Sequence, residues 1–409
     1  MVDESKVALL AALTERGWET SPTLRAAPFV AAGCELLFSQ PIRTAEVNEP
    51  ATNNPATGRL LSLDQFRGYT VVGMLFVNFA GGFAAIHPIF KHHNTWCSYA
   101  DTIMPQFFFA VGFALRLVML RNREKLGAKA AYWRELSRIA LLSGLGLLFY
   151  NLDWFTLSAT DFTAPKLRAL VAKSFWRDTF QTLVHIAATS LWVLPVILRP
   201  IQTRVLFAAS SGLLHLGFSA WFWYALLQEK RVIDGGPPGF LTWTLPVIAG
   251  SIAHDWVRGK NAERSALRPL LTWGAAAMLG GYAISCLGAG GHWAAPPFFP
   301  PRSTVDIWTM SQRAGSLSYL TFASGFSLAL YALFVWLCDG RRWHLAIFGV
   351  FGANALAAYP LHSVVAVPFS LLRRGDAPLW QAGFVTLAFI TTNALIVWRM
   401  NRRGWFLRL

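Results

Sequence analysis

Between residues 61 and 112 the chain reads LSLDQFRGYTVVGMLFVNFAGGFAAIHPIFKHHNTWCSYADTIMPQFFFAVG, and its polar residues are few and gathered. His92, His93, Trp96 and Asp101 lie between two strongly apolar stretches. An imidazole beside an ionised carboxylate is the pairing that general-base or nucleophilic catalysis uses, because the carboxylate fixes the tautomer and raises the basicity of the ring. Asp101 falls in the expected first turn of the following helix, where the helix dipole keeps a carboxylate ionised. Spacing alone does not choose between His92 and His93. The bland alternative is a pair of interfacial imidazoles facing water.

Other residues could serve the same chemistry. Asn78 lies in the preceding apolar stretch, where a buried amide must find a hydrogen-bond partner. Gly81 and Gly82 follow it and permit close approach of a neighbouring helix or ligand. Asn78 as hydrogen-bonding glue between helices is an equally weighted reading. Asp64 and Arg67 stand one helical turn apart, so they either pair with each other or leave Arg67 to meet a phosphate. Asn354, Tyr359 and His362, in FGANALAAYPLHSVV, form a third polar set, with a satisfied helix–helix contact as its competing reading. His185, His215 and His254 are lone imidazoles in or near apolar spans and read as satisfied contacts.

The elements that must position these groups are membrane helices. Over 409 residues, 54% are hydrophobic and only 14% charged, where a soluble domain carries about 25% charge. Mean hydropathy is +0.41. Ten spans are expected, near 68–86, 101–120, 139–157, 180–198, 205–227, 240–257, 269–287, 315–338, 345–369 and 379–398. The fold class is therefore an all-α polytopic membrane protein, a bundle of about ten transmembrane helices. The net charge of +15 sits at the ends of those spans, which fits the positive-inside bias and anionic headgroups rather than nucleic acid. Arg121–Arg138 is the most basic loop and is expected on the cytoplasmic side; alternation then puts both termini there. A multi-pass protein of the cell (inner or plasma) membrane follows.

Residues 1–58 differ from 59–409. They hold a short amphipathic candidate helix at Lys6–Arg16 and a Pro, Thr and Asn-rich run, and read as a cytoplasmic extension with little order. The start, MVDESK, lacks a basic segment, so a cleaved signal peptide is not expected. The four cysteines show no ligand-like spacing, so neither a metal nor a disulfide framework is expected. Gly288–Ala314 is long, irregular and rich in Pro and aromatics; a lid over the histidine connection and a loop sealing the bundle end are both open. Soluble hydrolase, NTPase and dehydrogenase motifs are absent from the sequence.

The ordered set RLLSLDQFRGYTVVGMLFVNFAGG, HNTWCSYADTIMPQFFFAVG, FLTWTLPVIAGSIAHDW, SLSYLTFASGFSLAL, FGANALAAYPLHS and WRMNRRGWFLRL resembles the heparan-α-glucosaminide N-acetyltransferase family over most of Arg59–Leu409. The resemblance implies a multi-pass enzyme that takes acetyl from cytosolic acetyl-CoA and delivers it to an amino sugar or glycan on the far side. Its HxxW pattern selects His93, with Trp96 at +3, as base or acyl acceptor. Its VNxxG and AD patterns fall on Asn78 and Asp101, and its late segment falls on Asn354 and His362. The implied acceptor contacts are Trp96, His362 and Asn354. Arg67 and Asp64 are the implied contacts for acetyl-CoA, the co-substrate, and no metal is called for. A homodimer is left open. The chain departs from the pattern in Trp96-Cys97-Ser98, where the family's triplet ends in a glycine, and at Thr182 and Gln312, where the family has basic residues. Those departures keep a sugar transporter and a catalytically silent relative as alternatives.

Overall fold

The structure is a computed structural model and describes residues 60–151, 154, 163–258, 265–289, 292–300 and 305–407. The amphipathic segment and the 58/59 boundary expected near the start lie outside the described residues. All regular elements among the described residues are helical. They are α1 (Leu61–Ala80), α2 (Tyr99–Leu126), α3 (Ala128–Tyr150), α4 (Ala164–Lys173), α5 (Thr182–Val193) and α6 (Ile201–Glu229). There follow α7 (Phe240–Val257), α8 (Leu267–Cys286), α9 (Leu317–Gly340), α10 (Ala346–Ala353), α11 (Ala355–Ser370) and α12 (Leu379–Arg402).

The centre of the bundle is α2, which packs on α1, α3, α5, α7 and α9. Its start is fixed by a reciprocal cap. The Ser98 side chain accepts from the Asp101 backbone N–H while the Asp101 carboxylate accepts from the Ser98 N–H. Its end is set by Gly127, whose φ of +83° takes the chain out of the helix. The basic segment expected as a loop at Arg121–Arg138 is instead mostly helical, because α2 runs on to Leu126 and α3 starts at Ala128.

Where lipid is as apolar as leucine, helices associate through small residues that let backbones meet. A Cβ on Gly112 of α2 would fall 1.8 Å from the Val247 carbonyl oxygen of α7, and one on Gly250 of α7 would fall 1.9 Å from that of Phe109. The contact is reciprocal, so neither position admits a side chain. Gly68 of α1 and Gly352 of α10 seat each other's helices in the same way, with 1.8 Å to the Phe348 oxygen and 2.0 Å to the Asp64 oxygen.

Four helices are long and apolar enough to cross a membrane: α2, α6, α9 and α12. The pair α10–α11 makes a fifth if its two parts count as one span. The other expected spans fall on α1, α3, α5, α7 and α8, which do not combine that length with that apolarity among the described residues. Large apolar side chains such as Trp221, Leu206 and Phe384 point outward, as a lipid-facing surface requires. The stretch expected as one helix at 345–369 is broken by 98° at Asn354. The Asn354 side chain holds the break by donating to the Trp405 carbonyl (2.8 Å) and accepting from the Leu407 N–H (3.2 Å).

A buried ionic cluster ties α2, α6 and α7. Arg116 forks onto Asp255 (3.0 and 3.2 Å) and donates to the Ile197 carbonyl (2.6 Å). The fully buried Arg204 pairs with the same carboxylate and donates to Ser251 (2.7 Å). The two ends of the bundle are distinct. At one, the Ser62 hydroxyl of α1 bonds the Tyr331 hydroxyl of α9 (3.1 Å). At the other, the loops between α1 and α2, α6 and α7, and α8 and α9 converge.

Candidate active site

Convergence of those three loops makes the site. Phe298 donates its N–H to the Cys97 carbonyl (2.8 Å), so the long loop expected as a lid or seal packs on the histidine connection. Gly235 donates to the Arg313 carbonyl (3.0 Å), and Tyr319 of α9 donates to the Asp101 carbonyl (2.6 Å). These bonds fix one end of α2 against both neighbouring loops.

Asp101 is fully buried and saturated with donors. One oxygen accepts from the Ser98 N–H (2.9 Å) and the Ser98 hydroxyl (2.8 Å); the other bonds His92 Nδ1 (3.0 Å). The His93 backbone N–H adds a long contact to both oxygens (3.4 Å each). A carboxylate held in this way orients an imidazole without moving. His92 Nδ1 also meets the Gln312 carbonyl oxygen (3.2 Å), and His92 Nε2 faces the Asn78 amide (3.3 Å). With Nδ1–H given to Asp101, a neutral His92 keeps its lone pair on Nε2. The imidazolium donates from Nε2 to the Asn78 oxygen, and turning the Asn78 amide over supplies a donor to the neutral ring. Burial pushes the His92 pKa down, but the hydrogen bond and charge of Asp101 outweigh it, and the net shift is upward.

His92 stands in the wall of a cavity of about 560 Å³, with 44% of its side-chain surface open. Asn78, Asn94, Thr182, Gln312 and Tyr359 line the same space. So does Asp234, which the sequence reading did not single out. Asp234 is buried and accepts from Gln312 Nε2 (2.9 Å), so Gln312 bridges it to His92. Burial raises its carboxyl to about 6, partly offset by the Gln312 donor. Its φ of +55° leads into Gly235 and Gly236, both also left-handed, and Trp243 donates to its carbonyl (2.8 Å). A left-handed non-glycine residue persists only where its surroundings over-determine it. An Asp before Gly-Gly in a Pro-rich turn reads as a solvated loop residue; its only signal is that same unusual turn.

The structure separates the two histidines. His93 lies with its ring stacked on Trp96 (4.1 Å between centroids) and its Nε2 on the Pro88 carbonyl (2.8 Å). It contributes its backbone to Asp101 but its side chain is not in the cavity wall, and neither is Trp96. Adjacent residues in extended backbone point opposite ways, so one imidazole enters the cavity and the other packs outside it. His92, rather than the expected His93, is thus the ring in contact with Asn78 and Asp101. Of the remaining expected residues, His362 sits on α11 beside Tyr359 (5.7 Å between rings) and is not a cavity wall residue. Asn354 is committed to the tail. Arg67 and Asp64 lie about 16 and about 21 Å along α1 from Asn78, toward the other end of the bundle. Among the described residues no group of three or more His, Cys, Asp or Glu is placed to hold a metal ion. No protein-family model matches the chain, and no curated protein matches it.

Proposed function

We propose that the protein is a multi-pass membrane acyltransferase of the heparan-α-glucosaminide N-acetyltransferase type, with His92 as its base. The observation that carries this reading is the Asn78–His92–Asp101 relay in the wall of a cavity large enough for a sugar. The motif resemblance supplies the reaction class: acetyl from cytosolic acetyl-CoA to an amino sugar or glycan on the other side. Ten spans, cytoplasmic termini and residence in the cell membrane belong to the same proposal.

In this mechanism the acceptor amine attacks the thioester carbonyl. His92 Nε2 takes the proton that the amine loses, and the C–S bond breaks as the C–N bond forms. His92 then returns the proton to the departing thiolate, giving an amide and free CoA. Asp101 holds Nδ1–H and balances the imidazolium. Asn78, with its amide N–H₂ toward the reacting carbonyl, stabilises the developing oxyanion. Asp234 holds the acceptor as its ammonium, which gives up one proton to solvent before the neutral amine attacks. The basic end of the bundle, with Arg67 and the arginines of α2 and α12, is where the CoA phosphates would find partners.

One observation favours a transporter instead: a broken apolar helix pair, α10–α11, is a device transporters use. The polar cavity, however, lies at one end of the bundle, and transport sites sit near mid-membrane. The deciding experiment measures acetyl-CoA binding and acetyl transfer to glucosamine by purified protein and its His92→Ala and His93→Ala variants. His92→Ala should bind acetyl-CoA normally and lose about 10²- to 10⁴-fold in transfer. His93→Ala should keep most of its activity. Wild-type protein that binds no acetyl-CoA would overturn the acyltransferase reading.

A further inference from the structure

The cavity has two chemical ends. Its inner wall carries Asp234 beside His92, and its mouth carries Arg177 and Arg231. Neither mouth arginine makes a hydrogen bond or ion pair with another described residue. In this they differ from four arginines held inside the bundle or the cavity wall. Arg116 and Arg204 are held by Asp255, and Arg138 by Glu135. Arg313, also in the cavity wall, spends its guanidinium on the carbonyls of Leu227 and Lys230 (2.9 Å to the latter). Two uncommitted guanidiniums over an acidic, base-bearing pocket form a complement to a molecule with an amine at one end and an oxyanion at the other.

Resting on the acyl-transfer reading above, we propose that the acceptor carries a phosphate group beside its amine: the ammonium goes in to Asp234 and His92, and the phosphate stays at the mouth on Arg177 and Arg231. Guanidinium groups bind phosphate through paired, charge-assisted bonds, which gives both affinity and orientation. The orientation matters because it points the amine at the base. The cavity volume accommodates one sugar phosphate but not a polymer segment of several residues. The arginines do not fit the phosphates of an acyl donor arriving from the opposite face, where Arg121, Arg123, Arg399 and Arg402 lie on the far ends of α2 and α12. The same phosphate chemistry is available from a soluble sugar phosphate and from a phospholipid-linked amino sugar.

Full-length protein in nanodiscs tests this in two arms. In the first, kcat/KM for acetyl transfer is compared for glucosamine, glucosamine 6-phosphate and a glucosaminyl phospholipid, in wild type and in the Arg177→Gln/Arg231→Gln variant. At least one phosphorylated acceptor should exceed glucosamine by about tenfold or more in wild type, and the variant should bring that ratio close to one. Preference for the soluble or the lipid acceptor identifies the source. In the second arm, calorimetry follows binding of glucosamine 6-phosphate and acetyl-CoA without turnover. Loss of sugar-phosphate binding in the variant, with no acetylation of any acceptor by wild type, would keep the anion site and discard acyl transfer. A wild-type ratio near one overturns the proposal. So does a variant that keeps the wild-type ratio and instead weakens acetyl-CoA binding, which would assign the arginines to the donor.

Discussion

At the scale of the residue, the site turns on which groups hold protons. In the proposed transfer His92 must be neutral to accept one, and its pKa lies above the ordinary value because Asp101 outweighs burial. Asp234 must be ionised to hold an ammonium, and burial has lifted it to about 6. Both groups are active when deprotonated, so kcat/KM should fall as pH falls. The fall begins through the raised His92 value, with a slope of one proton, and steepens toward two protons below about pH 6. Asp234→Asn should leave a slope of one throughout. Asp101→Asn removes the charge that raises His92, so the whole acid limb should move to lower pH. A pH–rate profile of the three proteins checks this, and a limb that stays in place in Asp101→Asn would mean another group titrates. The types of these residues were legible in the sequence: an imidazole, a carboxylate and an amide on or between two spans. Which of the adjacent histidines turns inward was not. That choice depends on Trp96 taking the His93 ring and on Gln312, from a loop over two hundred residues away, meeting His92.

At the scale of the element, helices hold their places through close backbone contact and one ionic knot. Asp255 is the single carboxylate between Arg116 and Arg204. Removing it leaves two cations facing each other, one of them fully buried, and breaking such a pair typically costs about 3–5 kcal/mol. Asp255→Asn keeps the shape and removes the charge. It should therefore lower the unfolding temperature in detergent, followed by tryptophan fluorescence, while Lys129→Gln on the exposed surface of α3 should change it little. Equal effects of the two substitutions would mean the knot carries no special weight. Hydropathy alone marked α2, α6, α9 and α12 well, because each is an unbroken apolar run. It could not show the break at Asn354, which is held by Trp405 and Leu407 rather than by local sequence. It also misread Arg121–Arg138 as a loop, because charge that marks the membrane boundary does not stop a helix; only Gly127 interrupts it.

At the scale of the whole molecule, a histidine-lined cavity lies at one end and a band of arginines at the other, an arrangement the proposed transfer across a bilayer would use. Arg341, Arg402 and Arg403 lie over the rings of Trp336, Trp398 and Trp405, with the guanidinium 4.1 to 5.2 Å from the ring centre. Tryptophan settles at the headgroup level and arginine favours the cytoplasmic leaflet, so in the proposed topology these pairs belong to the inner face. In that topology the cavity, with Asn94 in its wall, opens to the outside. This gives a direct expectation. In a variant lacking its native cysteines, single cysteines at Asn94 and His292 should react with a membrane-impermeant maleimide added to intact cells. Single cysteines at Lys125 and Arg403 should react only after the membrane is opened. The reverse pattern would put the cavity on the cytosolic side. The basic end would then face away from the acyl donor, and transfer across the bilayer would no longer follow from the fold.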